Sequence, residues 1–227
     1  MSPFPQELVD RWQNRRESAP GEGTVYWHVL LSEDVRLRSM VEDAHGRLSK
    51  FRGLHLTPLR WLHITTLIAG SADDIDESDM SEMLAEARSL LSGAAPVQVT
   101  FHRVFYHPEA IVLGIHPQEA LAPIREAALA ATRKVTGHDG NVSGCAQPWM
   151  PHVTLCYSTG RQPAEPIIAA LGKELPACDV TIQALSLVIQ RGPERLWDWH
   201  HIGTARLGTP DQHLHSWLLL TVTGAGC

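Results

Sequence analysis

Apolar and polar positions along the chain fall into a repeating order of elements. Val25 to Leu31 is apolar and β-rich and predicts a buried strand. From about Asp34 to Phe51, Leu37, Met40, Val41, Ala44, Leu48 and Phe51 recur at steps of three and four, which makes one helix face. Gly53 is placed to end that helix. Trp61 to Ile68 predicts a second strand, closed by Gly70. Asp79 and Glu82 have capping-box spacing ahead of a helix carrying Met83, Leu84, Ala87 and Leu90.

The order then restarts. Val97 to Tyr106 and Ala110 to Ile115 read as strands around a His107-Pro108 turn. A helix with Leu121, Ile124, Ala128, Ala131 and Val135 on one face follows. A Gly-rich loop from Gly137 to Gly144 leads into a strand from His152 to Tyr157. A short helix bears Ile167, Ile168 and Leu171, and strands over about Val180 to Gln190 and Leu196 to Leu207 close the pattern. Trp197 and Trp199 alternate with Asp198 and His200, as in a half-buried strand. The doubled order predicts an α+β protein built from a duplicated unit. Residues 1–23 read as an N-terminal arm, 24–207 as a single bilobal domain with two pseudo-symmetric lobes, and 208–227 as a C-terminal tail.

Composition narrows the class. The 227 residues suffice for a real core, and no apolar run reaches the ~20 residues needed to cross a bilayer. Met1 to Asp10 has neither a basic n-region nor an apolar h-region, so the cytoplasm is the expected compartment. A monomer that engages no membrane is expected. The net charge of −6 argues against a duplex DNA surface but leaves room for a small anionic ligand in a locally positive cleft. The acidic run of Asp73, Asp74, Asp76, Glu77, Asp79, Glu82 and Glu86 lacks EF-hand spacing and reads as a solvated loop entering a helix N-terminus. Cys145, Cys156, Cys178 and Cys227 have no regular spacing and read as free thiols. His213-x-His215 has no Cys nearby and only Asp211 as an acidic neighbour, short of a zinc ligand set, so no metal site and no cofactor is expected.

The chemistry lies in the second strand of each copy. Both carry histidine, an apolar residue, then threonine: His63-Ile64-Thr65 and His152-Val153-Thr154. Residues i and i+2 of a strand share a face, so each histidine projects with its threonine while Ile64 and Val153 point into the opposite layer. A third triplet, His55-Leu56-Thr57, runs into Pro58 and reads as a loop or strand-entry residue rather than a catalyst. Cleaving a phosphodiester without a metal needs a base for the nucleophile and an acid for the leaving oxygen. Histidine can hold either role near neutral pH. Thr65 and Thr154 can donate to the non-bridging oxygens of the transition state. Trp61 has the parity of His63, and Tyr26 and His28 share a face of the first strand; all three are candidate cleft-lining residues.

The segments Trp61 to Leu67 (W-L-H-I-T-T-L) and Pro151 to Leu155 (P-H-V-T-L) resemble the two H-x-T signatures of the 2H phosphoesterase superfamily, above all its 2′-5′ RNA ligase and cyclic phosphodiesterase branch. Leu54 to Arg60 (L-H-L-T-P-L-R) and Tyr26 to Leu31 (Y-W-H-V-L-L) resemble an actinobacterial-type subgroup of it. The resemblance spans about Val25 to Leu207 in layout. It implies two antiparallel sheets flanked by helices, with a central cleft to whose floor each sheet gives one H-x-T strand. It also implies metal-independent action of His63 and His152 on a 2′,3′-cyclic phosphate or 2′-5′ phosphodiester of RNA or a nucleotide, with ligation as a reverse reaction. Many relatives carry a basic residue shortly after the second motif; Cys156, Tyr157 and Ser158 stand there in this chain, and the first basic residue is Arg161. A non-catalytic nucleotide or RNA-end binder on the same cleft, and a metal-dependent hydrolase using the other histidines, are the alternatives. The first is disfavoured because both histidines and both threonines are intact. The second lacks an H-x-H pair on a predicted strand with supporting acids.

Overall fold

The computed structural model describes residues 4–19, 21–140 and 149–208. Its strands are β1 (Glu7–Leu8), β2 (Gly23–Leu30), β3 (Leu54–Leu56), β4 (His63–Ser71), β5 (Val97–Tyr106), β6 (Ala110–His116), β7 (His152–Ser158), β8 (Gln162–Pro163), β9 (Glu174–Ile182), β10 (Ala184–Arg191) and β11 (Trp199–Arg206). The helices are α1 (Val35–Leu48), α2 (Glu77–Leu91), α3 (Ala122–Thr136) and α4 (Glu165–Leu171).

Two antiparallel sheets result. One has the order β11-β10-β2-β4 and the other β3-β7-β6-β5-β9, with β1 and β8 forming a small separate ribbon. The two copies of the predicted unit are visible in them: β2 pairs with β4, and β6 pairs with β7. The helices exchange sides, however. Helix α1 follows β2 of the four-stranded sheet and leads into β3, at the edge of the five-stranded one, and it packs on β7, β9 and α4 of that other half. Helix α3 joins two strands of the five-stranded sheet yet packs on β4 and α2. Each sheet is therefore covered by a helix from the other half, which ties the lobes together.

Alternation does the local work. Val25, Trp27 and Val29 of β2 and Ile64 of β4 are buried on the helix side, while Tyr26 and His63 on the opposite parity stay partly exposed. The Trp27 indole donates to Thr132 Oγ1 of α3 at 3.0 Å, so its one polar atom is satisfied in the core. Burying a side chain of ~200 Å² at ~25 cal/mol per Å² is worth about 5 kcal/mol gross. On α1 the predicted face is buried at Leu37, Val41, Ala44 and Leu48, with Met40 and Phe51 at its margin. Asp34 caps it, accepting from the Leu37 amide at 2.9 Å.

Several boundaries differ from the sequence pattern. The box that opens α2 is Asp76 with Asp79, not Asp79 with Glu82, because a carboxylate at the third helical position can reach back whichever acid supplies it. Helix α1 ends at Leu48 rather than running on to Gly53, which instead takes φ +77° in the turn before β3. His55 lies on a true strand, β3, paired with Tyr157 on the edge of the five-stranded sheet. Val180 to Gln190 is not one strand: β9 ends at Ile182 and β10 starts at Ala184, and the two belong to different sheets. Leu196 to Leu207 is also interrupted. A 3₁₀ turn over Glu194–Leu196 is followed by Trp197 at φ 47°, and β11 begins only at Trp199. Trp61 likewise closes a 3₁₀ turn, Leu59–Trp61, rather than opening β4.

The N-terminal arm is built into the second half. Residues Glu7–Leu8 pair with Gln162–Pro163, the Arg11 amide donates to the Ser158 carbonyl, and Leu8 is fully buried. Cys156 and Cys178 are buried free thiols. Cys145, Cys227, His213, His215, the apolar run Trp217 to Val222 and the part of the Gly-rich loop from Asn141 to Gly144 lie outside the described residues.

Candidate active site

The two H-x-T strands meet where the sheets abut. β4 is the edge strand of the four-stranded sheet, and it lies against β7, which only the short β3 separates from the edge of its own sheet. Just before β7, the Trp149 indole donates to the Thr65 carbonyl at 3.3 Å and so bridges the junction.

His63 and His152 are held in the same way. Nδ1 of His63 lies 2.7 Å from the Trp61 carbonyl, and Nδ1 of His152 lies 2.7 Å from the Met150 carbonyl. In each case the ring bonds the residue two positions before it. A carbonyl only accepts, so each Nδ1 carries the proton and each Nε2 presents a lone pair. Burial pushes the His63 imidazole down to about 4; the Trp61 carbonyl opposes this, nearby His152 adds to it, and Glu194 pulls the other way. Burial also lowers His152, opposed by the Met150 carbonyl and reinforced by His107 and Arg11. Each histidine is half-buried.

The threonines each have a ring neighbour. Thr65 Oγ1 lies 3.4 Å from Nε2 of His28, and burial raises the Tyr157 phenol pKa while the Thr154 hydroxyl lowers it by a smaller amount. His28 is 2 % exposed and stacks on His63 with ring centroids 4.3 Å apart. Trp199 presents its edge to both rings, at 5.1 Å from His28 and 4.7 Å from His63. Trp61 packs on Trp199 at 4.7 Å, and Tyr26 lies 5.2 Å from His28. The structure thus gathers His63, Thr65, Tyr26, His28 and Trp61 on one wall, with His152 and Thr154 on the adjoining strand. His55 takes no part in this group. Its ring stacks on Trp197 at 4.8 Å and its Nε2 lies 2.9 Å from the Arg195 carbonyl.

Two residues have no signal in the local pattern. Arg11, from the arm, sits 4.2 Å over the Tyr157 ring and donates twice to Glu194, through Nε at 3.0 Å and Nη2 at 2.6 Å. Both groups bear on the histidines electrostatically, Arg11 on His152 and Glu194 on His63. Tyr157 and Trp197 stack nearly parallel beside them, 5.9 Å apart.

Among the described residues no three His, Cys, Asp or Glu side chains are grouped as a metal ion would require, and no helix is long and apolar enough to cross a membrane. An open cavity of about 660 Å³ lies at the other end of β2 and β4, lined by residues that include Gly23, Thr24, Gly70, Ser71 and His138, and contains none of the paired histidines.

Two antiparallel sheets in a helix-covered α+β chain, each bringing one H-x-T strand to a common junction, form the architecture of a 2H phosphoesterase. The model of the 2′-5′ RNA ligase superfamily matches residues 36–194, and the chain belongs to that superfamily. An RNA 2′,3′-cyclic phosphodiesterase of Thermus thermophilus is 24% identical over 157 residues, covering 67% of this chain and 76% of the relative. Solved structures share the fold. A protein of Thermus thermophilus superposes with a TM-score of 0.64 at 20% identity over 82% of this chain and 98% of the other. Escherichia coli LigT complexed with 3′-AMP gives 0.61 at 10% identity over 82% and 98%.

Proposed function

We propose that the chain is a metal-independent phosphodiesterase acting on a 2′,3′-cyclic phosphate or a 2′-5′ phosphodiester of RNA or a nucleotide, with His63 as general base and His152 as general acid. The observation that carries this reading is the matched anchoring of the two rings, Nδ1 to a carbonyl two residues back, which leaves both Nε2 atoms for proton transfer. The names of the Thermus and Escherichia coli relatives support the substrate class.

On a cyclic phosphate the steps balance without a metal. His63 Nε2 takes a proton from water, the water oxygen bonds to phosphorus, and the bond to one ribose oxygen breaks. His152, entering the step protonated, delivers its Nε2 proton to that oxygen. The hydroxyls of Thr65 and Thr154 donate to the non-bridging oxygens as charge builds there. With a ribose 5′-hydroxyl in place of water the same step joins two chains, one ring oxygen of the cyclic phosphate leaving with the proton from His152, and the reverse of that step cleaves a 2′-5′ linkage back to the cyclic phosphate. Burial holds His63 neutral near pH 7, free to accept a proton, and on that ground we take it as the base and His152 as the acid.

The test is turnover of 2′,3′-cyclic mononucleotides and 2′-5′-linked dinucleotides by the purified protein in excess EDTA, with products separated by chromatography. Hydrolysis that persists is the expected result. Loss on chelation with recovery on adding a divalent ion would make the protein a metallohydrolase, and tight binding with no turnover would make it a nucleotide binder.

A further inference from the structure

Behind the first H-x-T strand sits a third histidine that the mechanism above does not use. His28 comes from β2, is 2 % exposed, and has Tyr26, His63 and Trp199 packed on its ring. Its two nitrogens meet different surroundings. Nε2 faces Thr65 Oγ1 at 3.4 Å, whereas Nδ1 is buried with no hydrogen-bond partner. Burial, with His63 adding to it, holds the ring well below the ordinary histidine range, so it is neutral and carries a single proton.

Where that proton sits follows from the cost of each choice. A proton on Nδ1 would leave a buried N–H donor orphaned and force Thr65 to commit its own hydroxyl proton to Nε2. A proton on Nε2 leaves only an unfilled acceptor at Nδ1, and the orphaned donor is the rarer and costlier of the two. With Nε2–H donating into Oγ1, the Thr65 hydroxyl must aim its proton away from His28. Thr65 remains partly exposed on the face it shares with His63. Donation into a hydroxyl oxygen also polarises its O–H and strengthens the next bond in the chain.

We propose that His28 is a positioning residue which, through an Nε2–H bond to Thr65 Oγ1, fixes the Thr65 hydroxyl as a donor to a non-bridging phosphate oxygen. Although its ring stacks on His63, its part in the reaction is to act through Thr65 rather than on the substrate. The proposal rests on the phosphate-binding role given to Thr65 above.

The proposal dictates a tautomer opposite to that of the catalytic pair. Nitrogen-15 spectra of the imidazoles at neutral pH should show His28 protonated on Nε2, with His63 and His152 protonated on Nδ1. Kinetics on a 2′,3′-cyclic mononucleotide supply the functional arm. His28→Phe keeps a flat ring against His63 but has no donor, and kcat should fall about tenfold, the scale of one hydrogen bond, with little change in KM. His28→Gln can place an amide N–H near the Nε2 position and should recover most of that loss. In a Thr65→Val background both substitutions should change kcat less than about twofold, because the group they act through is gone.

An Nδ1-protonated His28, equal losses in His28→Phe and His28→Gln, or an undiminished loss in the Thr65→Val background would each overturn the proposal and leave His28 as packing for His63. If His28→Phe fails to fold, His28→Gln and the tautomer decide. An inactive wild type, or wild-type kinetics in Thr65→Val alone, would instead count against the proposed function, and the tautomer spectrum would still read the His28 bond directly.

Discussion

The pH dependence of turnover tests the assigned roles most directly. In the free enzyme the base must be neutral and the acid protonated, and kcat/KM reports both conditions. His63 is held down at about 4 by burial, so its protonated fraction at pH 7 is about one in a thousand. It limits activity only on the acid side, where kcat/KM should rise through about pH 4 as His63 loses its proton. His152 is lowered too, by burial first, so it loses its proton below the ordinary histidine value of ~6.5. Above that point each further pH unit should cost tenfold, leaving under about a tenth of the peak at about pH 7.5. The optimum for kcat/KM therefore falls in the mildly acidic range. A bound phosphate anion stabilises both imidazolium forms, so the kcat profile should lie to its alkaline side. The assay is initial-rate hydrolysis of a 2′,3′-cyclic mononucleotide from about pH 4 to about pH 9, on the wild type and on His63→Ala and His152→Ala. Each single variant should lose ~10²- to 10⁴-fold in kcat, and the double variant much less than the product of the two. The residual rates separate the roles. His152→Ala keeps the base, so its rate should rise through about pH 4 and then stay level. His63→Ala keeps the acid, so its rate should fall as His152 deprotonates. A His152→Ala rate that falls with rising pH would exchange the two roles, and a wild-type profile with no alkaline limb would remove the acid from the mechanism.

Thr65→Val and Thr154→Val each delete one hydroxyl and keep the β-branched shape; kcat should fall by at most ~10²- to 10³-fold with the unfolding transition unchanged. His55→Ala is the control, since its ring is committed to Trp197 and the Arg195 carbonyl, and its kinetics should stay within a few-fold of wild type. A His55→Ala loss as deep as that of His63→Ala, with the fold intact, would mean that the wrong triplet has been assigned. Leu8→Ala should cost about 2–5 kcal/mol in urea unfolding, because this arm residue is fully buried against the second half, and a change below about 0.5 kcal/mol would show that the arm is not docked.

What the sequence determined by itself is what local geometry repeats. A strand has period two, so His63-Ile64-Thr65 could be read as polar, buried, polar, and Ile64 is indeed fully buried while His63 and Thr65 are not. A helix has period 3.6, so the faces of α1 and α3 were visible as spaced apolar residues. The pairing of the two motifs was legible because the same unit occurs twice. The rest depends on contacts between residues far apart in the chain, which no local period encodes. Arg11 and Glu194 are 183 positions apart, and Trp27 and Thr132 are 105 apart. No pattern around Gln183 marks the point where the chain leaves one sheet for the other, because apolar residues run on across it from β9 into β10. Likewise, the apolar stripe on α1 specifies that a sheet must cover it but not which one, and only packing sends it to the opposite half. The tertiary structure alone sets His28 behind Thr65 and brings β4 against β7, since the meeting of two sheets is decided by which edges the remaining strands and helices leave free.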